Sequence, residues 1–396
     1  MNDKIRNQVE AMLTERVGMR TIASELGLTE WAVRKAKQSM IDARAYDNKK
    51  TRKEARAENA VEALNREVLE SLQKVGAKLS VKGRRSGKLN AKKAVAVLHL
   101  SDLHLNELIS MPDNEFDFTV AAKRLQLLVM KTKRYCRAMD VEKVVVFLGG
   151  DICNSDRRID EVMNMATNRS RAMVLGVHLL RQLVLDLRQD YFVDVFGITG
   201  NEGRAKQELS WSDNAVTDSY DASMYYMLKT VLEVNKDRGL RIHQLTGNEA
   251  IFSIHGKTFL GLHGHQLSAH DQKKVQSIIG KHSQLTGTRI DMLLCGHIHA
   301  SYVGDFVARN ASLSGGNAYS NDGLQLASKA AQNLHIVIPE GKGCPAMLDG
   351  VKLDVQNVDG VEGYEIISQL EEYTARGSDK AAQAASNQPR RLVVVV

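Results

Sequence analysis

The chain has 396 residues, of which 43% are apolar, so it can bury the cores of two or three domains. Its formal charge of +7 is uneven: residues 1–93 hold 22 Lys and Arg against 12 Asp and Glu, and the remainder has a small acidic excess. The scattered cysteines (Cys136, Cys153, Cys295 and Cys344) and the absence of a signal-peptide core or a long apolar run argue against a disulfide framework, a zinc ribbon and a membrane span. We expect a soluble, cytoplasmic protein whose basic end binds a polyanion, although a solvated basic helix has the same composition.

Residues 1–40 have the pattern of short helices and resemble a helix-turn-helix domain. Ala23 is a small residue where two helices can cross, Gly27 suits the turn, and Val33 is the apolar residue inside the second helix. Thr29 can cap that helix. The side chains predicted to face DNA are Thr29, Trp31, Arg34, Lys35 and Lys37. A plain helical hairpin without nucleic-acid contact also fits this pattern.

Residues 41–93 are predicted to form a charged helix followed by a basic, flexible linker. Between Val61 and Leu79 apolar residues recur every three or four positions, which gives the helix an amphipathic stripe. The stripe is about three heptads long, so a homodimer is consistent with it but does not follow from it. Gly83 and Gly87 interrupt the pattern and mark the linker.

Residues 94–340 change to short apolar runs that alternate with helical stretches, such as 119–139 and 157–190. The runs AVAVLHL, KVVVFLG, FVDVFGIT, TFLGLHG and DMLLCGH have the composition of buried strands. This alternation predicts an α/β domain. Residues 341–396 are expected to be a C-terminal extension that ends in a weakly ordered tail.

Polar side chains follow each of the five strands at the point where the strand ends. The resulting blocks are Asp102-Leu103-His104, Gly150-Asp151, Gly200-Asn201, His263-Gly264-His265 and Gly296-His297-Ile298-His299. Sites in α/β sheets lie at the carboxyl ends of strands, and an i, i+2 spacing puts two side chains on one face of an extended segment. Carboxylate, imidazole and amide ligands suit Mn, Fe or Zn, and two such ions about 3.5–4 Å apart can clamp a phosphate.

The ordered blocks D-x-H, G-D, G-N, H-G and G-H-x-H resemble the motifs of calcineurin-like metallophosphoesterases over roughly residues 94–335. With the sequence GNEGR and a Gly-rich segment at 312–317, the chain is similar to phage-encoded phosphoesterases and, more distantly, to double-strand-break repair nucleases. The resemblance implies a metallophosphoesterase-type β-sandwich flanked by helices, here joined to an N-terminal all-α helix-turn-helix domain. It also implies two divalent ions, Mn²⁺ first, with Fe, Zn or Mg as alternatives.

The resemblance also implies which residues hold the metals. Asp102, His104 and His299 would hold the first ion, and Asp151 would bridge the two. The second ion would be held by Asn201, His263 and His297, although His265 could take the place of His263. The other histidines fit no motif and are expected to be structural or to lie at the surface.

Residue 202 departs from the family pattern, in which a histidine beside the scissile phosphate follows the Gly-Asn pair. Here the residue is Glu202, and a carboxylate is a poor general acid at neutral pH and repels phosphate. We therefore expect metal binding with turnover reduced by about 10²–10⁴ and restored by a histidine. Arg204 could supply some of the missing positive charge.

The sequence thus predicts a two-metal phosphodiesterase that acts on DNA and is delivered by its basic helical module. One alternative is a phosphomonoesterase or protein phosphatase. Another is a catalytically inert protein that binds DNA and metal.

Overall fold

The structure is a computed structural model that describes residues 3–15, 17–40, 89–204, 218–234, 236–243, 247–268, 271–318, 320–321, 328–341 and 345–367. The chain divides into two compact units, Met1–Ser71 and Leu72–Val396. The amphipathic stripe predicted at 61–79, most of the linker and the end of the C-terminal tail lie outside the described residues. None of the described helices is both long and apolar enough to cross a membrane.

The described part of the first unit has three helices: α1 (Asp3–Thr14), α2 (Met19–Glu25) and α3 (residues 30–40). Their shared core is formed by Val9, Ile22, Ala23, Val33 and Ala36. Gly27 has a φ of 63° in the turn between α2 and α3, a conformation that favours glycine. The hydroxyl of Thr29 accepts a hydrogen bond from the backbone N–H of Ala32 at 3.3 Å, as a capping residue should. These are the positions that the sequence assigns to a helix-turn-helix, whose contact with DNA stays a prediction.

The second unit contains two mixed sheets. In the first sheet β1 (Ala94–Leu100), β4 (Val141–Leu148), β5 (Phe192–Gly197) and β6 (Leu240–Ile242) run parallel, and β12 (Ala331–Ile338) and β13 (Met347–Asp354) extend it antiparallel, in the order β13-β12-β1-β4-β5-β6. The second sheet has the order β10 (Tyr302–Val303), β11 (Val307–Arg309), β9 (Met292–Cys295), β8 (Lys257–Leu262) and β7 (Glu249–Ile254). A hairpin is formed by β2 (Ile109–Met111) and β3 (Asn114–Phe116). All five predicted strands are present.

Among the described residues of this unit the helices are α4 (Phe118–Ala138), α5 (Ile159–Met163), α6 (Arg169–Asp190), α7 (Tyr220–Glu233) and α8 (Gln272–Thr286). The helical stretch predicted at 157–190 consists of two helices, α5 and α6. It is divided because the Asn168 side chain accepts the backbone N–H of Arg171 at 3.0 Å and starts a new helix.

The core lies between the two sheets. Val97 and Phe147 from the first sheet pack with Phe259 and Leu294 from the second. Because β1 is buried at every residue, it is covered on both faces, as a continuous apolar run predicts. The α/β sandwich flanked by helices is thus confirmed. It includes β13, which pairs along its whole length with β12, so the boundary predicted at residue 340 falls between two paired strands.

Candidate metal centre

The carboxyl ends of five strands deliver the predicted ligands to one region. Asp102 and His104 follow β1, Asp151 follows β4, Asn201 follows β5, His263 follows β8, and His297 and His299 follow β9. The loops are interlocked across the sandwich: the backbone N–H of His297 donates to the Asp102 carboxylate at 2.9 and 3.0 Å. The N–H of Gly296 donates to the carbonyl of His263 at 2.8 Å. These hydrogen bonds fix the positions of the ligand loops of the two sheets relative to each other.

One cluster consists of Asp102, His104 and His299, whose ligand atoms all lie within 4.8 Å of one another. The Nε2 atoms of His104 and His299 are 3.0 Å apart, and Asp102 Oδ1 is 3.4 Å from the latter. Two imidazole nitrogens and a carboxylate that converge on one point form a donor set for a divalent cation.

A second cluster consists of Asp151, His263 and His297, again with ligand atoms within 4.8 Å. Oδ2 of Asp151 is 2.8 Å from Nε2 of His263. His263, and not His265, is the histidine of this block that the structure brings into the cluster. Together the two clusters give this chain a site for divalent metal.

Neighbouring groups fix which nitrogen of each histidine faces the clusters. Nδ1 of His263 is 2.9 Å from the carbonyl oxygen of Gly149, and Nδ1 of His104 is 3.2 Å from Oδ1 of Asn154. Since both partners are acceptors, Nδ1 carries a proton in each ring, and Nε2 is the nitrogen that can ligate a cation once it is deprotonated. Both rings therefore present a ligating nitrogen to the site. Asn154 was not found from the sequence because it belongs to none of the motifs.

Two polar atoms at the second cluster are buried without a hydrogen-bond partner. They are Oδ1 of Asn201 and Nε2 of His263; the latter is close to Asp151 but is not aligned for a hydrogen bond. Leaving a buried polar atom unsatisfied costs about 1–3 kcal/mol. A cation that accepts both lone pairs removes this cost, so the residues present fit a second metal.

Backbone conformation at the ligands points to the same function. Asp102, His104, Asp151, His297 and His299 all have positive φ, between 44° and 69°. Non-glycine residues rarely adopt this region, and each such residue costs about 1–3 kcal/mol. Strain concentrated at five ligands is typical of a functional site, because the fold must hold the side chains against it.

Asp221, at the start of α7, holds two of the ligand loops together. Its buried carboxylate accepts the backbone N–H groups of Asp151, Ile152 and Gly200, at 3.0, 3.0 and 2.9 Å. Burial and the nearby Asp151 charge raise the pKa of Asp221 to about 6. Nothing in the sequence singles out Asp221, because it belongs to none of the five motif blocks.

Burial and mutual charge control protonation at the clusters. Burial alone raises the pKa of Asp102, but the contact with His299 and the charge of His263 lower it to about 2. Burial likewise raises the pKa of Asp151, but the charge of His263 and its contact with the carboxylate bring that pKa well below its usual value. Burial lowers the pKa of His297 to about 4, so this ring is neutral at pH 7. The carboxylates are thus charged and His297 is available as a ligand.

The predicted catalytic residues lie beside the second cluster. The backbone N–H of Glu202 donates to Oδ1 of Asp151 at 2.8 Å. Its carboxylate forms an ion pair with Arg157 at 3.0 Å, a partner that the sequence did not reveal. Arg204 is half-buried, and burial and the positive charge of Arg157 lower its pKa. Arg204 therefore lies within electrostatic reach of Arg157.

The residues predicted to contact DNA lie in the N-terminal unit. Thr29, Trp31, Arg34, Lys35 and Lys37 are all exposed. Trp31 is 68% exposed, and Nζ of Lys35 lies 5.2 Å from the centre of its ring. An aromatic ring with adjacent cations suits contact with a phosphate backbone, but DNA binding stays a prediction.

The clusters open into a cleft of about 580 Å³. Its polar lining includes His104, Asp151, Glu202, His297 and His299. Its other walls include the acidic residues Glu107 and Glu161 and the apolar residues Leu108, Ile109, Leu267 and Ile298. The metal site is thus accessible to a substrate.

No family model and no curated protein matches this chain. Purple acid phosphatase PPD1 from yellow lupin (Lupinus luteus) is 9% identical, over 70% of this chain and 54% of that one, with a TM-score of 0.33. The 5'-nucleotidase from Candida albicans SC5314 is 10% identical, over 77% and 58%, with a TM-score of 0.33. A predicted phosphoesterase from Streptococcus pneumoniae TIGR4 is 12% identical, over 65% and 98%, with a TM-score of 0.26. Likenesses this distant carry no argument about activity.

Proposed function

We propose that this chain is a calcineurin-like, two-metal phosphoesterase that hydrolyses phosphodiester bonds in DNA. The observation that carries this proposal is the pair of adjacent clusters, each with one carboxylate and two imidazoles, at the floor of an open cleft. Two divalent ions bound there supply a nucleophile at neutral pH and neutralise the charge that develops on phosphorus.

The chain's own residues have separable tasks in this proposal. Asp102, His104 and His299 hold one ion, and His263, His297 and Asn201 hold the other. Asp151 belongs to the second cluster but is adjacent to the first, because its backbone carbonyl accepts a hydrogen bond from the backbone N–H of His104 at 3.1 Å. That location supports the bridging role. Mn²⁺ is the proposed metal, since mixed oxygen and imidazole ligands accept it readily.

The choice of DNA as substrate depends on the N-terminal segment. Its excess of ten positive charges and its exposed Trp31, Arg34 and Lys35 suit a polyanion. A homodimer through the amphipathic stripe at 61–79 belongs to the same proposal. The same proposal places the protein in the cytoplasm, as a phage-type enzyme.

The walls of the cleft favour a second candidate, a phosphomonoesterase. Glu161 and Glu202 are each paired with an arginine, but Glu107 also lines the cleft and repels the flanking phosphates of a DNA chain, which a monoester lacks. The two candidates therefore differ in which part of the molecule selects the substrate.

Parallel assays in Mn²⁺ distinguish these candidates. The substrates are bis(p-nitrophenyl) phosphate, p-nitrophenyl phosphate, and linear and circular DNA in single- and double-stranded form. Each is assayed with the parent chain and with the Asp151→Asn variant, which is the inactive control. The proposal predicts metal-dependent cleavage of the diester and of DNA. Much faster turnover of the monoester with DNA untouched would identify a phosphomonoesterase. Metal and DNA binding without hydrolysis of any ester would identify an inert binding protein.

A further inference from the structure

The Glu202 carboxylate is occupied on both oxygens. Oε2 accepts from Nη2 of Arg157 at 3.0 Å, and Oε1 accepts from Nδ2 of Asn201 at 2.6 Å. The Arg157 and Glu202 side chains are only 18% and 22% exposed, so water screens this ion pair less than a surface pair. A carboxylate held in this way is not a free general acid.

The contact with Glu202 determines which atom of the Asn201 amide is left free to bind a cation. Since Nδ2 donates to Glu202, the opposite atom, Oδ1, is the one left buried without a partner. The amide oxygen is the atom that can ligate a cation. Glu202 thus orients a predicted ligand, and its own backbone N–H binds the proposed bridging residue, Asp151.

Arg157 is held by further contacts beside Glu202. Its Nε donates to Oγ of Ser155 at 3.0 Å, and its backbone N–H donates to Oε2 of Glu161 at 3.0 Å. Arg157 adjoins the cleft through Glu202, which lines it, and three of the five N–H donors of its guanidinium are left for a phosphate oxygen at that wall. Arginine also binds phosphate in a defined, often bidentate geometry.

We propose that Glu202 is a positioning residue, which holds Arg157 against the scissile phosphate and turns the Asn201 oxygen toward the second metal. This proposal rests on the proposed phosphoesterase function. In the reaction water loses a proton to solvent as its oxygen bonds to phosphorus, and the P–O bond to the leaving group breaks. The Arg157 guanidinium stabilises the charge on the phosphoryl oxygens, and the leaving oxygen takes its proton from solvent. Glu202 then increases turnover, and a histidine in its place removes the contacts with Arg157 and Asn201.

The test measures binding separately from turnover. Calorimetry gives the Mn²⁺ stoichiometry and the affinity of the Mn²⁺-loaded protein for inorganic phosphate. Steady-state assays with bis(p-nitrophenyl) phosphate give kcat and KM. The variants are Arg157→Ala, Arg157→Lys, Glu202→Gln and Glu202→His. Arg137→Ala is the matched control, because Arg137 is exposed on the last turn of α4, which leads into the amino end of β4, whereas the site lies at the carboxyl end of that strand.

Arg157→Ala should keep two bound Mn²⁺ and lose about tenfold to a hundredfold in phosphate affinity and in kcat, as expected for a charged hydrogen bond. Arg157→Lys should recover part of this loss, and Glu202→Gln should lose less than Arg157→Ala. Glu202→His should turn over more slowly than the parent chain and bind the second Mn²⁺ more weakly. Parent-like phosphate affinity in Arg157→Ala, or faster turnover in Glu202→His, would overturn the proposal. Failure of the parent chain to hydrolyse any ester would refute the proposed function alone, because phosphate affinity still reports on Arg157.

Discussion

The glycines at the strand ends should be required because the two ligand loops pass too close for a side chain. A Cβ at Gly296 would overlap Oδ2 of Asp102 and Oγ of Ser101, and would lie 3.0 Å from Cγ of Asp102. Gly280, in α8, provides the control, because a Cβ there has no heavy atom within 4 Å.

Gly296→Ala should lower the free energy of unfolding by about 1–3 kcal/mol, the usual cost of overpacking. Gly280→Ala should raise it by about 1 kcal/mol, because alanine is the better helix former. Relief of the overlap must move the Asp102 carboxylate, and each 1.4 kcal/mol of that strain weakens Mn²⁺ binding about tenfold.

Urea denaturation of the metal-free protein and calorimetric Mn²⁺ titration measure the two effects. The expected pattern is a destabilised Gly296→Ala variant with weakened Mn²⁺ binding, beside a stabilised Gly280→Ala variant with unchanged binding. The reasoning is refuted if Gly296→Ala is as stable as the parent chain and binds Mn²⁺ equally well.

Three further predictions concern other parts of the chain. Burial lowers the pKa of His99 to about 3 and of His335 to about 4, so both stay neutral in the folded state while the unfolded chain takes up protons below pH about 6.5. Stability should therefore fall by about 1.4 kcal/mol per pH unit for each histidine between pH 6 and 5, and urea denaturation of His335→Leu should show a shallower slope than the parent chain. Asp221→Asn should cost about 1–3 kcal/mol in the same assay and weaken Mn²⁺ binding, because an amide cannot accept all three N–H groups; unchanged Mn²⁺ affinity would contradict its role. Replacing Arg34, Lys35 and Lys37 together by alanine should weaken DNA binding and lower its salt slope by up to about three, and an unchanged slope would remove these residues from the interface.

The sequence predicted the parts of the site that lie at strand ends. Apolar runs mark the strands, and the residues that follow them converge because parallel strands end at one edge of a sheet. Asp102, Asp151 and Asn201 could be placed together for this reason alone, because β1, β4 and β5 are parallel neighbours in one sheet. The choice of His263 over His265 came from the family resemblance, and the structure brings His263 into the cluster.

The contacts around the ligands could not be predicted. Asp221 lies in a helix, and Arg157 and Asn154 lie in a loop, where spacing along the chain bears no fixed relation to position in space. The role of Glu202 changes because of one such contact. From the sequence alone Glu202 predicts a slow enzyme, whereas its ion pair with Arg157 gives the carboxylate a positioning role.

The break between α5 and α6 shows the same limit on the scale of secondary structure. The sequence predicted a helical stretch over residues 157–190 and placed no break inside it. The hydrogen bond from Arg171 to the Asn168 side chain decides the outcome locally.

Diffraction from crystals soaked in Mn²⁺, measured at the manganese absorption edge, tests the central claim most directly. The account predicts two anomalous peaks about 3.5–4 Å apart. One should be bound by Asp102, His104 and His299, and the other by His263, His297 and the Asn201 oxygen, with Asp151 between them. A single peak, or two peaks bound by other residues, would contradict it.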